Sequence, residues 1–328
     1  MTPIVTAAIV SAILINGLTL GYFFAFQQSS KSPTIIGIAK WQEDTDYDDN
    51  IKGFKKGLEE FGYIEGKDTE YIVAVANADK EQQRKVIQDF IDKKVDLIYS
   101  LTTPGTLIAK EMTQDIPIVF TIVTYPVEAG VIANIYGSEN NLVGTTNYVS
   151  VSKHFDLFYN IYPVKKIGFL HRNGEPNSSI QLNEMKEYAS KRGVEVIEIA
   201  PNTLDETSNA VSNVIESVDA VFLACDTLIQ GGGAEIAITI AMENKKPTFS
   251  CLREGVITGA LVGNVTEQYK IGIRAGRKAS LILEGAKPEN LYTEHQENEF
   301  IIINLKTANM LNIEIPEQIL VAVDEVIR

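Results

Sequence analysis

Short apolar runs and longer stretches with helical spacing alternate along this chain. Residues 34–39 (TIIGIA), 71–76, 95–101 and 116–123 are apolar runs of the length that forms buried parallel strands. Between the first two, Ile51, Phe54, Leu58 and Phe61 fall at i, i+3, i+7 and i+10, which predicts one face of a helix that Gly62 ends. Val86, Ile87, Phe90 and Ile91 mark a second helix, and a third is predicted near residues 107–112. The pattern then restarts. Strands are predicted at 166–171, 194–199, 219–225 and 247–251, with helices near 180–191, 204–216 and 234–243 between them. Repeated β–α units imply parallel sheets with right-handed crossovers. Two successive sets imply an α/β chain of two doubly wound parallel-sheet lobes with a cleft between them.

Ahead of the first strand, residues 3–26 carry no charge. As a helix that run spans roughly 36 Å, enough for a bilayer. No basic segment precedes it and no A-x-A cleavage site stands out, so a retained transmembrane helix is expected in preference to a cleaved signal peptide. Residues 27–33 (QQSSKSP) then read as a short stalk.

The net charge of −14 argues against nucleic acid as a partner, because phosphate backbones demand an excess of Lys and Arg. Phosphate-loop, HExxH, CxxC and GxSxG motifs are absent, and Gly231–Gly233 do not fit a dinucleotide fingerprint. No cofactor and no metal site are expected, and nothing supports an enzyme. Cys225 and Cys251 each end a predicted strand in the same half. If those strands are neighbours the two could reach disulfide range, but two buried thiols are the preferred reading.

Ligands of open parallel sheets bind beyond the carboxyl ends of the strands, so the residues just after each strand are the candidates. After the first strand come Trp41, the only tryptophan, and Gln42. Trp41 is either a cover for a ligand or a packing residue. Thr102, Thr103 and Pro104 offer hydroxyls and a helix start to a carboxylate, or else form an ordinary N-cap with Pro in the first turn. Thr124 and Tyr125 leave the fourth strand. In the second half, His171, Asn173, Asn177, Ser178 and Ser179 form a donor-rich loop and helix start, with His171 more simply a structural histidine. Asp226 and Thr227 follow the next strand, where a carboxylate suits a ligand ammonium or a helix cap. Arg253 could clamp a carboxylate or pair with an acid of the protein.

Read in order, several segments resemble the ABC-transporter substrate-binding family that includes the tryptophan/tyrosine-type binding proteins. They include Gly53-Phe54-(x)3-Leu58-(x)3-Gly62-Tyr63-(x)2-Gly66, Thr103-Pro104, Asp115-Ile116-Pro117-Ile118-Val119-Phe120-Thr121, Lys166-Ile167-Gly168, Ile282-Leu283-Glu284-Gly285 and Phe300-(x)3-Asn304. The resemblance covers roughly residues 34–320. It implies a type I periplasmic-binding-protein fold, with lobe 1 made of 34–146 and 266–297 and lobe 2 of 147–265 and 298–328. Crossings near 144–147, 263–267 and 296–300 would serve as hinges. It further implies an extracytoplasmic solute-binding component of an importer, partnered by a membrane permease and its ATPase. Some relatives bind aromatic amino acids, which would suit Thr103, Ser178, Ser179 and Asp226, but the solute itself is left open. A ligand-sensing ectodomain with the same clamp is the alternative, and a two-lobed enzyme a third.

Overall fold

The computed structural model describes residues 32–295 and 300–328. The apolar runs of the first half become β1 (Thr34–Lys40), β2 (Thr69–Val75), β3 (Leu97–Leu101), β4 (Ile118–Thr121) and β5 (Leu142–Gly144). They form one parallel sheet in the order β2-β1-β3-β4-β5. Helices α1 (Thr45–Glu59), α2 (Lys80–Asp92) and α3 (Thr103–Met112) make the crossovers. Every residue of β3, β4 and β5 is buried, which is why these strands read as continuous apolar runs instead of alternating ones.

The second sheet contains β6 (Lys166–Leu170), β7 (Glu195–Ile199), β8 (Ala220–Leu223), β9 (Thr248–Ser250), β10 (Val262–Val265), β11 (Phe300–Asn304) and β12 (Glu325–Ile327), in the order β12-β11-β10-β9-β8-β6-β7. Around it lie α4 (Val151–Ile161), α5 (Pro176–Ser190), α6 (Leu204–Ser212), α7 (Ala234–Glu243) and α8 (Arg253–Thr258). Its core is aromatic, with Phe158 stacked on Phe249 at 4.0 Å and Phe169 on Phe222 at 4.9 Å.

Between β10 and β11 the chain leaves for the first sheet as α9 (Gln268–Leu283) and then returns. It re-enters from the cleft end, so β11 runs antiparallel to β10 in an otherwise parallel sheet. Last come α10 (Leu305–Leu311) and α11 (Glu317–Leu320). α9 is seated on α1 through glycines on both helices. A Cβ on Gly272 would lie 2.0 Å from the Asn50 carbonyl oxygen, and one on Gly53 2.1 Å from that of Tyr269. Only glycine permits that approach.

Each sheet has its topological switch point at the cleft, between β1 and β3 in the first and between β6 and β8 in the second. Two-lobed α/β architecture with parallel sheets is therefore as the sequence predicts. The helix expected over residues 3–26 and most of the crossing expected at 296–300 lie outside the described residues. Among the described residues no helix is long and apolar enough to cross a membrane.

The cysteines correct the sequence reading. Cys225 and Cys251 are not free thiols but form a disulfide with Cα atoms 5.8 Å apart. They follow β8 and β9, which are adjacent parallel strands, so the two strand ends arrive side by side.

Candidate functional site

The ends of β1, β3, β6 and β8 face one another across the interlobe gap, and direct bonds cross it. Gln42 Nε2 donates to the Thr227 carbonyl at 3.3 Å, and Gln230 Nε2 donates to Asp44 Oδ1 at 3.4 Å. Further along, the Tyr125 hydroxyl donates to Glu184 Oε2 on α5 at 2.6 Å. A cavity of about 390 Å³ opens between the lobes. Trp41, Pro104, Leu107 and Ile108 give it an apolar wall from lobe 1, and Arg172 to Pro176 close it from lobe 2. Its size lies in the range of small-molecule pockets.

Ten buried side-chain polar atoms have no hydrogen-bond partner among the described residues, and four of them belong to residues at or just after the facing strand ends: Trp41 Nε1, Tyr47 OH, Thr103 Oγ1 and Asn177 Oδ1. Their side chains belong to residues exposed by only 1%, 0%, 2% and 3%. A buried polar group without a partner costs roughly 1–3 kcal/mol, so these four atoms are candidates for contact with a bound molecule.

Local sequence explains how each group arrives there. Thr102 caps α3 by accepting from the Gly105 N–H, at a positive φ of 71°, and Pro104 sits in the first turn. The ordinary N-cap is thus real, yet it leaves the adjacent Thr103 hydroxyl buried and unpartnered. Asp44 caps α1, and Tyr47 lies within the first turn of that helix. Across the gap, Asp226 caps its own turn: Oδ1 accepts from the N–H groups of Leu228 and Ile229, and Oδ2 from that of Arg172. Glu175 accepts from the Thr227 hydroxyl at 2.6 Å and the Thr227 N–H at 3.2 Å. Arg172 Nη1 donates to the same Thr227 hydroxyl at 2.9 Å.

Lys80, Arg84 and Arg172 line the cavity together with Glu111 and Glu175, while the carboxyls at the strand ends are buried and crowded. Burial, followed by the charge of Glu175, pushes the Asp226 carboxyl up to about 7. Burial likewise raises Glu175, against the opposing pull of Thr227 and Arg172. On the facing lobe, burial lifts Asp44 to about 6 and Asp46 to about 7. The Tyr47 hydroxyl is raised by burial and then by the charges of Asp44, Glu175, Asp46 and Asp226. Crowded, desolvated carboxylates of this kind favour a cationic guest. Among the described residues no cluster of His, Cys, Asp and Glu could hold a metal ion.

The strand-end candidates separate into groups. Trp41, Pro104 and Asn173 line the cavity. Gln42, Thr102, Thr103, Asn177, Asp226 and Thr227 are buried polar groups at or just after the facing strand ends and do not line the cavity itself. Ser178 and Ser179 spend their hydroxyls on the Glu175 carbonyl. His171 is fully occupied, with Nδ1 beside the Arg172 carbonyl and Ser178, and Nε2 3.0 Å from Glu198. Thr124 and Tyr125 line a different cavity of about 300 Å³ near the lobe crossings, with Thr124 bonded to Asn147. Arg253 does clamp a carboxylate with two N–H bonds, but the carboxylate is that of Glu325 on β12, at 2.7 Å for each. Tyr47 and Glu175 were missed by sequence reasoning. A signal for Tyr47 existed: with Ile51, Phe54 and Leu58 it extends the apolar stripe of α1 one turn toward the cleft.

The chain matches the family model described as ABC transporter substrate binding protein over residues 35–327. It is 33% identical over 286 residues to the tyrosine-binding protein of Clostridioides difficile (strain R20291), covering 87% of this chain and 83% of that one. Among solved structures, an ABC domain from Streptococcus pneumonia in complex with L-Trp has a TM-score of 0.84 at 26% identity, covering 89% of this chain and 100% of that one. The ligand-free, open structure of a substrate binding protein with adhesive properties from Clostridium difficile has a TM-score of 0.70 at 30% identity, covering 90% and 99%.

Proposed function

The chain belongs to the family of ABC transporter substrate binding proteins, and from that premise we propose that it captures an aromatic amino acid between its lobes for import. The observation that carries this reading is the set of four unpartnered buried atoms on facing strand ends. Lobe 1 offers donors for a carboxylate, namely the Thr103 hydroxyl and the N-terminal N–H groups of α3. Lobe 2 offers acceptors for an ammonium, namely Asp226, Glu175 and Asn177 Oδ1. The wall of Trp41, Pro104, Leu107 and Ile108 suits an aromatic side chain. The relatives that bind tyrosine and L-Trp support the same class.

A guest held by both lobes draws them shut, with lobe 1 as 34–146 and 266–297, lobe 2 as 147–265 and 298–328, and the three crossings as hinges. The greater likeness to the L-Trp complex than to the open structure, despite lower identity, supports a closed arrangement here. The closed form would be read by a membrane permease coupled to its ATPase. Residues 3–26 would tether the protein to the membrane with the lobes outside the cytoplasm, and a disulfide suits that oxidising side.

Calorimetric titration of the full-length chain with L-tryptophan and L-tyrosine tests the ligand class. Binding should add about 2.7 kcal/mol of stability at 100 times the dissociation constant. Absence of binding by both, in protein freed of carried-over solute, refutes the aromatic assignment.

A further inference from the structure

Two segments of lobe 2 confront lobe 1: residues 226–227 in the loop beyond β8, and residues 252–254, the N-cap and first turn of α8 beyond β9. The first meets Gln42 through the Thr227 carbonyl. The second brings the charges of Glu254 and Arg253 to bear on the Asp46 carboxyl. Each segment is preceded directly by one half of the disulfide. The β8–β9 ladder ends with Leu223 opposite Ser250, so beyond that pair the strand register no longer sets how the segments lie relative to each other. The disulfide is the tie immediately after the ladder stops.

Its surroundings belong to the same construction. The Cys225 N–H donates to Gln181 Oε1 at 2.9 Å, and Gln181 Nε2 lies 3.3 Å from Cys225 Sγ. The Cys225 carbonyl accepts from Asn177 Nδ2 at 2.8 Å, which aims the unpartnered Oδ1 of that amide. The next residue is Asp226, whose two oxygens accept three backbone N–H groups. A bond at Cys225 therefore fixes an acid, an amide and a carbonyl that faces lobe 1.

We propose that the Cys225–Cys251 disulfide is a positioning element of the solute site, holding the two cleft segments of lobe 2 as one rigid edge so that solute affinity depends on its oxidation state. The proposal rests on the solute lying between the lobes, as above. A binding constellation tolerates displacements of only about 0.5 Å before affinity suffers. Segments released from each other exceed that tolerance more readily than the packed core does. The bond forms by thiol–disulfide exchange: the two thiols lose two protons and two electrons to a small-molecule or protein disulfide, which leaves as two thiols. Before oxidation the chain would be folded but a weak binder, and oxidation would complete the site.

The test compares the full-length wild type with Cys225→Ser/Cys251→Ser and with Ile167→Ala, a core variant of lobe 2 remote from both segments. Titration with whichever of L-tryptophan and L-tyrosine the wild type binds should show at least tenfold weaker affinity for the serine pair. The core variant, which also lowers the melting temperature, should keep wild-type affinity. Amide hydrogen exchange without ligand should quicken at residues 225–229 and 252–254 in the serine pair alone. Equal affinity in wild type and serine pair, or equal loss in both variants, overturns the proposal. If the wild type binds neither amino acid, the aromatic assignment fails separately, and exchange then decides: unchanged protection of the two segments overturns the positioning role.

Discussion

Replacing Asp226 by Asn should flatten the dependence of folding stability on pH, and the size of the change follows from the site. Asp226 is buried beside Glu175, and its carboxyl is lifted from 3.8 to about 7. A carboxyl raised in the folded protein holds its proton where the unfolded chain has lost it, so it contributes stability at low pH that disappears as pH rises toward 7. With those two values, the wild type should lose roughly 2–3 kcal/mol between pH 5 and pH 8 relative to the Asn variant. Asp44 and Asp46 contribute in the same direction, but both remain in the variant and cancel in the difference. Urea unfolding at pH 5, 6, 7 and 8, followed by circular dichroism, measures it. The amide keeps one acceptor oxygen where the carboxylate used two, which lowers the stability of the variant by an amount that does not vary with pH, so only the slope is diagnostic. Parallel wild-type and variant curves, within about 0.5 kcal/mol, would show that the Asp226 carboxyl is not raised in the folded protein. Saturating amino acid should also abolish the wild-type fall, because its ammonium would hold the carboxylate ionised.

His154 responds with the opposite sign. Burial lowers it to about 3, so stability drains away as pH falls below 6.5, by ~2 kcal/mol at pH 5, and His154→Leu should remove that dependence in the same urea series. Gly272→Ala places a methyl group 2.0 Å from the Asn50 carbonyl oxygen, and backbone on both sides prevents easy relief. Unfolding should show a loss of about 1–3 kcal/mol, although Ala favours a helix, and a neutral result would mean that α1 and α9 are not in this contact. Tyr125→Phe deletes a hydrogen bond that joins the lobes, and titration should show affinity for the bound amino acid roughly 5- to 10-fold weaker, consistent with about 1 kcal/mol lost from the closed form alone. Unaltered affinity would deny the bond any part in closure. Trp41, buried against Gly105 and exposed to the cavity, should change its fluorescence when the amino acid enters.

Strand and helix order were legible because burial on both faces of a parallel sheet leaves uninterrupted apolar runs, and helix faces leave a period near 3.6. Strand ends could be counted off from there, which is how Trp41, Thr103, Asn177 and Asp226 became candidates. What the residues at those ends do was less legible. Arg253 and Glu325 are 72 positions apart and pair only because β12 joins the edge of the second sheet. His171 meets Glu198 because β7 lies beside β6.

Two parallel-sheet lobes and the positions of their strand tips are thus properties of the linear pattern, since hydrophobic period and turn residues are local. Which tips face the cleft, which ones satisfy each other, and whether Cys225 reaches Cys251 were decided only when strand order and the packing of the lobes brought distant segments together. Hydrogen bonds and charge pairs act over a few ångströms, and sequence spacing carries no record of that distance until the sheets are assembled.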